Sequence, residues 1–142
     1  MNKGRYLIPL ALVLVLASAC GWGESGEIRE VRRAAAAYLE AERAGDVEGV
    51  WNLLAPSSDF KKGYTLDMYR EMASQGRGRI KDYVIEDISG LSSQFDYDYY
   101  RGVDRIAEVK VLVTVVFDET GETSSRRTSF TFVKEGGQWY KG

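Results

Sequence analysis

The sequence predicts an α+β domain, with helices first and an antiparallel sheet after them. Three observations carry this reading. Apolar residues recur at helical spacing from Ile28 to Leu39. From residue 105 the period changes to two, so that Ala107, Val109, Val111, Val113, Val115 and Phe117 fall on one face of a strand. Turn signals at Thr120-Gly121 and at Glu135-Gly136-Gly137 then set off two further strands. Helices and strands segregated in this way pack as helices on one face of a sheet rather than as alternating βαβ units.

The first helix is expected over "EIREVRRAAAAYLEAERA", where Ile28, Val31, Ala35, Tyr38 and Leu39 form the apolar stripe and four alanines supply propensity. Gly45 stops it in the left-handed conformation, and Asp46 caps a short second helix, "VEGVWNLL". Read this way, Gly45-Asp46 is punctuation rather than chemistry. Ala55-Pro56-Ser57-Ser58 breaks that helix, and a third follows over "LDMYREMASQ", capped by Thr65 and stopped by Gly76. The acids of the first helix are expected on its charged face, toward water. "DYVIEDI" at 82–88 is a candidate first strand. The strand at 105–119 should pair antiparallel with 123–134, and its valine face should pack on Tyr38 and Leu39 of the first helix. "QWYK" closes the sheet.

The start of the chain is of another kind. Lys3 and Arg5 precede an apolar run from Tyr6, and Ala17, Ser18 and Ala19 end it. Charge, apolar run and small residues in that order make a secretory signal. A membrane span needs about 20 apolar residues, and this run is shorter. The chain thus divides into a signal peptide, 1–19, a tether, 20–26, and one domain, 27–142. Two cleavages fit. Ordinary signal peptidase would leave Cys20 as a free thiol. Alternatively, "LASAC" resembles the lipobox of bacterial lipoproteins, with Ala17 standing where that family usually has Leu and Leu16 one place earlier. Cys20 is the only cysteine, so it has no disulfide partner in the chain, and lipid attachment is the simplest use of it. That resemblance implies a protein exported to the bacterial envelope and anchored by lipid (palmitate among its acyl chains) to the cell membrane or the outer membrane. Gly21, where an Asp would imply inner-membrane retention, favours the outer one.

Composition narrows the partners. The formal net charge is −2, there is no histidine, and loss of Lys3 and Arg5 with the leader makes the chain more acidic. Nucleic acid is not an expected partner. With no histidine and the cysteine assigned to lipid, zinc, haem and thiolate chemistry are close to excluded, and no cofactor or metal is expected. Asp96 and Asp98 open "DYDYYRG" with the spacing of a calcium loop, but Tyr100 and Arg101 occupy the positions that need an oxygen ligand and glycine. The stretch Asp96, Tyr97, Asp98, Tyr99, Tyr100 is either a surface loop or a set of rings that could hold a cationic or sugar ligand.

Element order, the helix–Gly45-Asp46–helix junction in "AAYLEAERAGDVEGVWNLLAP" and the closing "EGGQWYK" together resemble the nuclear transport factor 2-like superfamily, over residues 28 to 142. The likeness is to its small exported bacterial members. It implies a cone: N-terminal helices packed on a curved antiparallel sheet. Enzymes of the superfamily place an Asp with a His or Tyr in the cone, and that pattern does not carry over because histidine is absent. Trp51, Leu54, Tyr69, Tyr83 and Trp139 are the residues expected between helices and sheet, either filling the space or leaving a pocket with hydroxyls turned inward. The expected function is therefore a lipid-anchored envelope protein whose domain binds a ligand or partner without turnover. A structural protein using the outer sheet face, through Leu112 and Val116, is one alternative. A small enzyme with an Asp or Tyr in the cone is the other. The expected partners are the membrane, a small ligand or an envelope protein, and a second copy of the chain.

Overall fold

Ser25, Asp46, Ser58 and Thr65 each start a helix in the same way, with a side-chain oxygen accepting from the main-chain N–H three residues on. In the computed structural model, which describes residues 24–76, 78–96 and 98–142, these helices are α1 (Gly26–Ala44), α2 (Val47–Leu53), α3 (Asp59–Gly63) and α4 (Leu66–Ser74). The leader, Cys20 and residues 21–23 lie outside the described residues, as does Tyr97. The sequence reading runs the tether to residue 26, but Ser25 already caps α1 and Glu24 pairs with Arg32.

The junction between α1 and α2 is built as its residues suggest. Gly45 has φ 68°, its N–H reaches the Glu42 carbonyl, and the Asp46 N–H reaches that of Ala41 at 2.9 Å. This pair of bonds closes α1 and needs a left-handed residue at Gly45. The Asp46 carboxylate then accepts from the Gly49 N–H at 2.9 Å, so one residue ends one helix and begins the next. Helix α3 was not legible in the sequence. Its five residues, "DFKKG", show no apolar period, and only Ser58 marks its start.

Four strands follow in a simple antiparallel meander, β1 (Gly78–Ser92), β2 (Arg105–Phe117), β3 (Thr123–Glu135) and β4 (Gln138–Lys141), in the spatial order β1-β2-β3-β4. Strand β1 is twice the length of the segment read from sequence. The reason is its register: it slips between Ile80 and Asp82, between Ile85 and Asp87, and between Ser89 and Ser92. Each bulge changes which residues face inward. Ile80 opposes Val115, Tyr83 opposes Val113, Ile85 opposes Val111 and Ile88 opposes Val109, so the inward residues of β1 fall at uneven spacing. Bulges also bend and twist the strand, which curves the sheet.

Helix α1 lies in the hollow this makes. Its backbone runs nearest to β1 and β4, the two edges of the sheet. Val31, Ala35 and Leu39 are fully buried in one core with Val109, Val111 and Phe132. The Tyr38 ring meets Phe130 and Phe132 edge-on, at 6.0 and 6.3 Å between centroids. A second, smaller core of Ala55, Val103 and Val133 is covered by Phe95 and Tyr100 of the 95–102 loop. The end of α2 is tied to the last strand, where Leu54 bridges Lys141 and the Ala55 N–H donates to the Lys141 carbonyl at 2.8 Å.

The acids of α1 do not simply face water. Glu27 pairs with Arg105 at 3.0 Å, Glu30 with Lys134 at 3.1 Å, and Glu40 accepts from the Tyr83 hydroxyl at 2.8 Å. They flank the buried stripe, and the curved sheet brings its own polar residues up to meet them. No helix among the described residues is long and apolar enough to cross a membrane.

Val111 is fully buried under α1, so Val111→Asp places a carboxylate in the core with no partner. The variant should lose about 3–5 kcal/mol of unfolding free energy in urea titrations. A stability within about 0.5 kcal/mol of wild type, the range of surface substitutions, would contradict this packing.

Candidate functional site

The core is well filled beneath α1 and poorly filled beneath α3 and α4. Neither of those helices carries a buried residue. They are held by rings: Trp51 lies 6.4 Å from Phe60 and 5.6 Å from Tyr69, Phe60 meets Tyr69 edge-on at 5.4 Å, and Tyr64 stacks on Phe60 at 4.7 Å. Between this aromatic layer and the sheet are two clefts, which share Phe60 and Tyr69 as lining residues.

The first cleft has a volume of about 530 Å³. Its walls are aromatic: Tyr38 from α1, Phe60 from α3, Tyr69 from α4, Phe130 from β3, and Tyr99 and Tyr100 from the loop. Its smaller lining residues are Ser57, Ser58, Ser129 and Thr131, with Lys141 from β4. The second, of about 620 Å³, lies between α1, α4 and the far end of the sheet, and includes Glu42, Met72, Arg79 and Arg126.

Of the residues expected between helices and sheet, Leu54 and Tyr69 line the first cleft, and Trp51 backs it through Phe60 and Tyr69. Tyr83 and Trp139 do not line it. Tyr83 is spent on Glu40, on the β1 side of α1. Trp139 is 7 % exposed in the main core, with Lys134 over its ring and no protein partner for its Nε1. From the loop, Tyr99 and Tyr100 reach the cleft, the two packed edge to face at 4.7 Å. Asp96 instead accepts from the Asp98 N–H, and Asp98 pairs with Arg101 at 3.6 Å. The two candidate sites of the sequence thus meet on one cleft.

Sequence reasoning missed Glu42 and Lys141. Its place among the charges of α1 suggests a solvated face, yet Glu42 is half-buried and accepts from the Tyr38 hydroxyl at 2.8 Å. Burial, and then this carboxylate, push the Tyr38 hydroxyl far above the usual tyrosine value. The same two causes raise Tyr69 to about 12. Both tyrosines therefore stay neutral donors throughout the ordinary pH range. The spacing of Glu42 four residues after Tyr38 was the one signal available.

Lys141 in sequence is simply the end of the last strand, "QWYK". It opposes Phe132 across β3–β4, so its side chain rises from the concave face of the sheet. Its Nζ donates to the Gly142 main-chain oxygen and stands 5.9 Å from the Phe130 ring. Burial pulls its pKa below the usual lysine value, and Glu42 partly opposes this. Among the described residues no group of three or more acids, histidines or cysteines is placed to hold a metal.

No protein-family model matches the chain, and no curated protein matches it in sequence. Solved structures do match. A ketosteroid isomerase-like protein from Erwinia carotovora atroseptica aligns with a TM-score of 0.53 at 18% identity, over 83% of this chain and 92% of its own. Aln2 from a Streptomyces species aligns with a TM-score of 0.51 at 15% identity, over 83% and 88%. Identity this low speaks to the fold alone, and the fold is the cone that the sequence resemblance implies: helices closing a curved antiparallel sheet.

The raised pKa of Tyr69 has a consequence for stability. An unfolded tyrosine loses its proton near 10, whereas Tyr69 in the fold holds it to about 12. Between those values the folded state binds more protons than the unfolded, so stability falls as pH rises. The urea midpoint should drop from about pH 10 upward, and less steeply in Tyr69→Phe. A midpoint with the same alkaline slope in both proteins would show that Tyr69 is not desolvated.

Proposed function

We propose that this is an exported, lipid-anchored binding domain that holds a small, mostly apolar ligand in the cleft between the aromatic layer and the sheet. The cleft itself carries the reading: about 530 Å³, walled by six rings, with a few fixed polar groups. Small-molecule sites have that size and make-up. Anchoring rests on the sequence, on the signal-like residues 1–19 and the lone Cys20 at the end of "LASAC". Two or more acyl chains would be needed to hold the domain firmly.

The outer sheet face gives less support to a partner-binding role. Polar pairs occupy much of it, Glu86 with Arg127 at 3.0 Å, Lys110 with Asp87 at 3.6 Å, Ser129 with Glu108 and Thr114 with Ser125, both at 2.8 Å, and its exposed apolar residue is Val84, opposite Leu112. Leu112 and Val116 are only half-exposed there.

A second reading has one observation in its favour. Glu42 sits beside the Tyr38 hydroxyl inside the cone, and a carboxylate there could serve as a general base in a small enzyme. Glu42→Gln separates the two. It keeps an oxygen for the Tyr38 hydroxyl but cannot take a proton. Ligand affinity should hold within about twofold in the variant, as for a loss of charge outside the cleft. Loss of a measured turnover in Glu42→Gln would favour the enzyme.

Two measurements test the main reading. Trp51 abuts two lining rings, so titration with a ligand should change tryptophan fluorescence saturably, and a flat response across apolar probes would count against the cleft. For the anchor, Cys20→Ala should move the protein from the membrane fraction to the soluble one, and the wild-type mass should start at Cys20 with acyl chains attached. A wild-type mass without them would refute lipidation.

A further inference from the structure

Tyr99, 65 % exposed, is the most exposed large apolar or aromatic side chain among the described residues. The loop that carries it is well fixed. Phe95 and Tyr100 cover the second core. The Tyr100 N–H donates to the Asp96 carbonyl at 3.0 Å, the Val103 N–H to the Tyr100 carbonyl at 3.2 Å, and the Asp104 N–H to the Lys134 carbonyl at 2.7 Å.

This loop lies at the same end of the cone as the start of α1. It leads into Arg105, the first residue of β2, and Arg105 pairs with Glu27 in the first turn of α1 at 3.0 Å. Lys134, which opposes Arg105 across the β2–β3 pair, holds Glu30 of the same helix. The Thr120-Gly121 turn lies at the other end, where Asp118 and Gly45 line the second cleft. Helix α1, with 19 residues and a length of about 28 Å, separates the two ends.

Cys20 stands five residues before Ser25, the cap of α1. Five residues reach at most about 18 Å. A lipid on Cys20 therefore keeps the start of α1, and the loop at that end, within reach of the bilayer. It leaves the Thr120 end free to stand off. Tyrosine suits the head-group layer, with its ring against apolar surface and its hydroxyl in water. The loop's charges do not favour an acidic surface: Asp96, Asp98 and Asp104 outnumber Arg101, and Asp98 pairs with Arg101 at 3.6 Å. A zwitterionic surface fits them better. The anchor raises the local concentration of that surface, so a weak affinity of the ring suffices.

Resting on the reading that Cys20 carries lipid, we infer that the 95–102 loop docks on a zwitterionic bilayer surface, with Tyr99 at the level of the head groups.

The test uses the full lipidated protein in phosphatidylcholine vesicles with brominated acyl chains. Lipidation closes the Cys20 sulfur in a thioether, so Arg101→Cys or Thr120→Cys supplies the one free thiol for a bimane label. Both positions are exposed, and neither substitution touches the core. The label at 101 should be quenched by lipid bromine and lose its quenching by aqueous iodide, while the label at 120 should show the reverse. Adding Tyr99→Ser to Arg101→Cys should restore the iodide quenching. Equal quenching at the two positions, or a label at 101 that ignores Tyr99→Ser, overturns the docking and leaves the anchor standing. A protein mass without acyl chains overturns the two readings together.

Discussion

Val31, Ala35 and Leu39 are fully buried in the concave face of the sheet, and the position of nearly every other group follows from that contact. A flat sheet would touch a helix along one stripe. Here three bulges in β1 bend the sheet until its edges approach α1 from both sides. The helix can then be bonded along its flanks as well as its base. Glu27 and Glu30 reach basic residues at the β2 and β3 side, while Glu40 takes the Tyr83 hydroxyl on the β1 side. Each pair is part-exposed and so contributes little to stability. What the pairs do is fix the rotation of α1, which decides where Tyr38 and Glu42 point.

That rotation links the core to the cleft. Tyr38 packs its ring on Phe130 and Phe132 and offers its hydroxyl to Glu42. The Gly45–Asp46 junction begins three residues after Glu42 and turns the chain back over the sheet as α2. Leu54 and Ala55, at the end of α2, are bound to Lys141 through the backbone. The lysine is thus placed by two elements distant in sequence, the end of α2 and the end of β4. Its ammonium stands 5.9 Å from the Phe130 ring of β3.

The strong periodicities were legible in the sequence: α1, α2 and α4, the β2–β3 hairpin and the last strand all stand where the pattern and the caps put them. So was the valine face packed on Tyr38 and Leu39, because alternation alone sets which residues share a face. Strand β1 was half hidden, since each bulge shifts the phase and Ile80, Tyr83, Ile85 and Ile88 keep no single period. Helix α3 was hidden by its length. The site was legible only in pieces. Tyr69, Leu54, Tyr99 and Tyr100 could be named as aromatic or apolar candidates, but nothing local says that a loop after β1 and a helix before it share a wall. Glu42 and Lys141 look like ordinary surface charges, and only the curvature of the sheet turns them inward.

The cleft is best understood as the place where close packing stops. Under α1 the facing residues are Val109, Val111 and Phe132, all fully buried or nearly so. Under α3 and α4 the sheet offers the Phe130 ring and the α2–α3 turn offers Ser57 and Ser58, while Ser129 and Thr131 meet the cleft only at the edge of β3, their side chains on the outer face with Lys110 and Glu108. The large rings around the cleft are braced within two groups, Trp51 with Phe60 and Tyr69 on the helix side and Tyr38 with Phe130 on the sheet side, and a void between them forfeits the dispersion contacts of everything that lines it. Helices α3 and α4, with no buried residue of their own, depend on those rings for their position. A ligand entering the gap would restore the missing contacts to the same rings. It would add to the hold on α3 and α4, and because Tyr38 belongs both to the α1 core and to the cleft wall, any such contact would bear on the core as well.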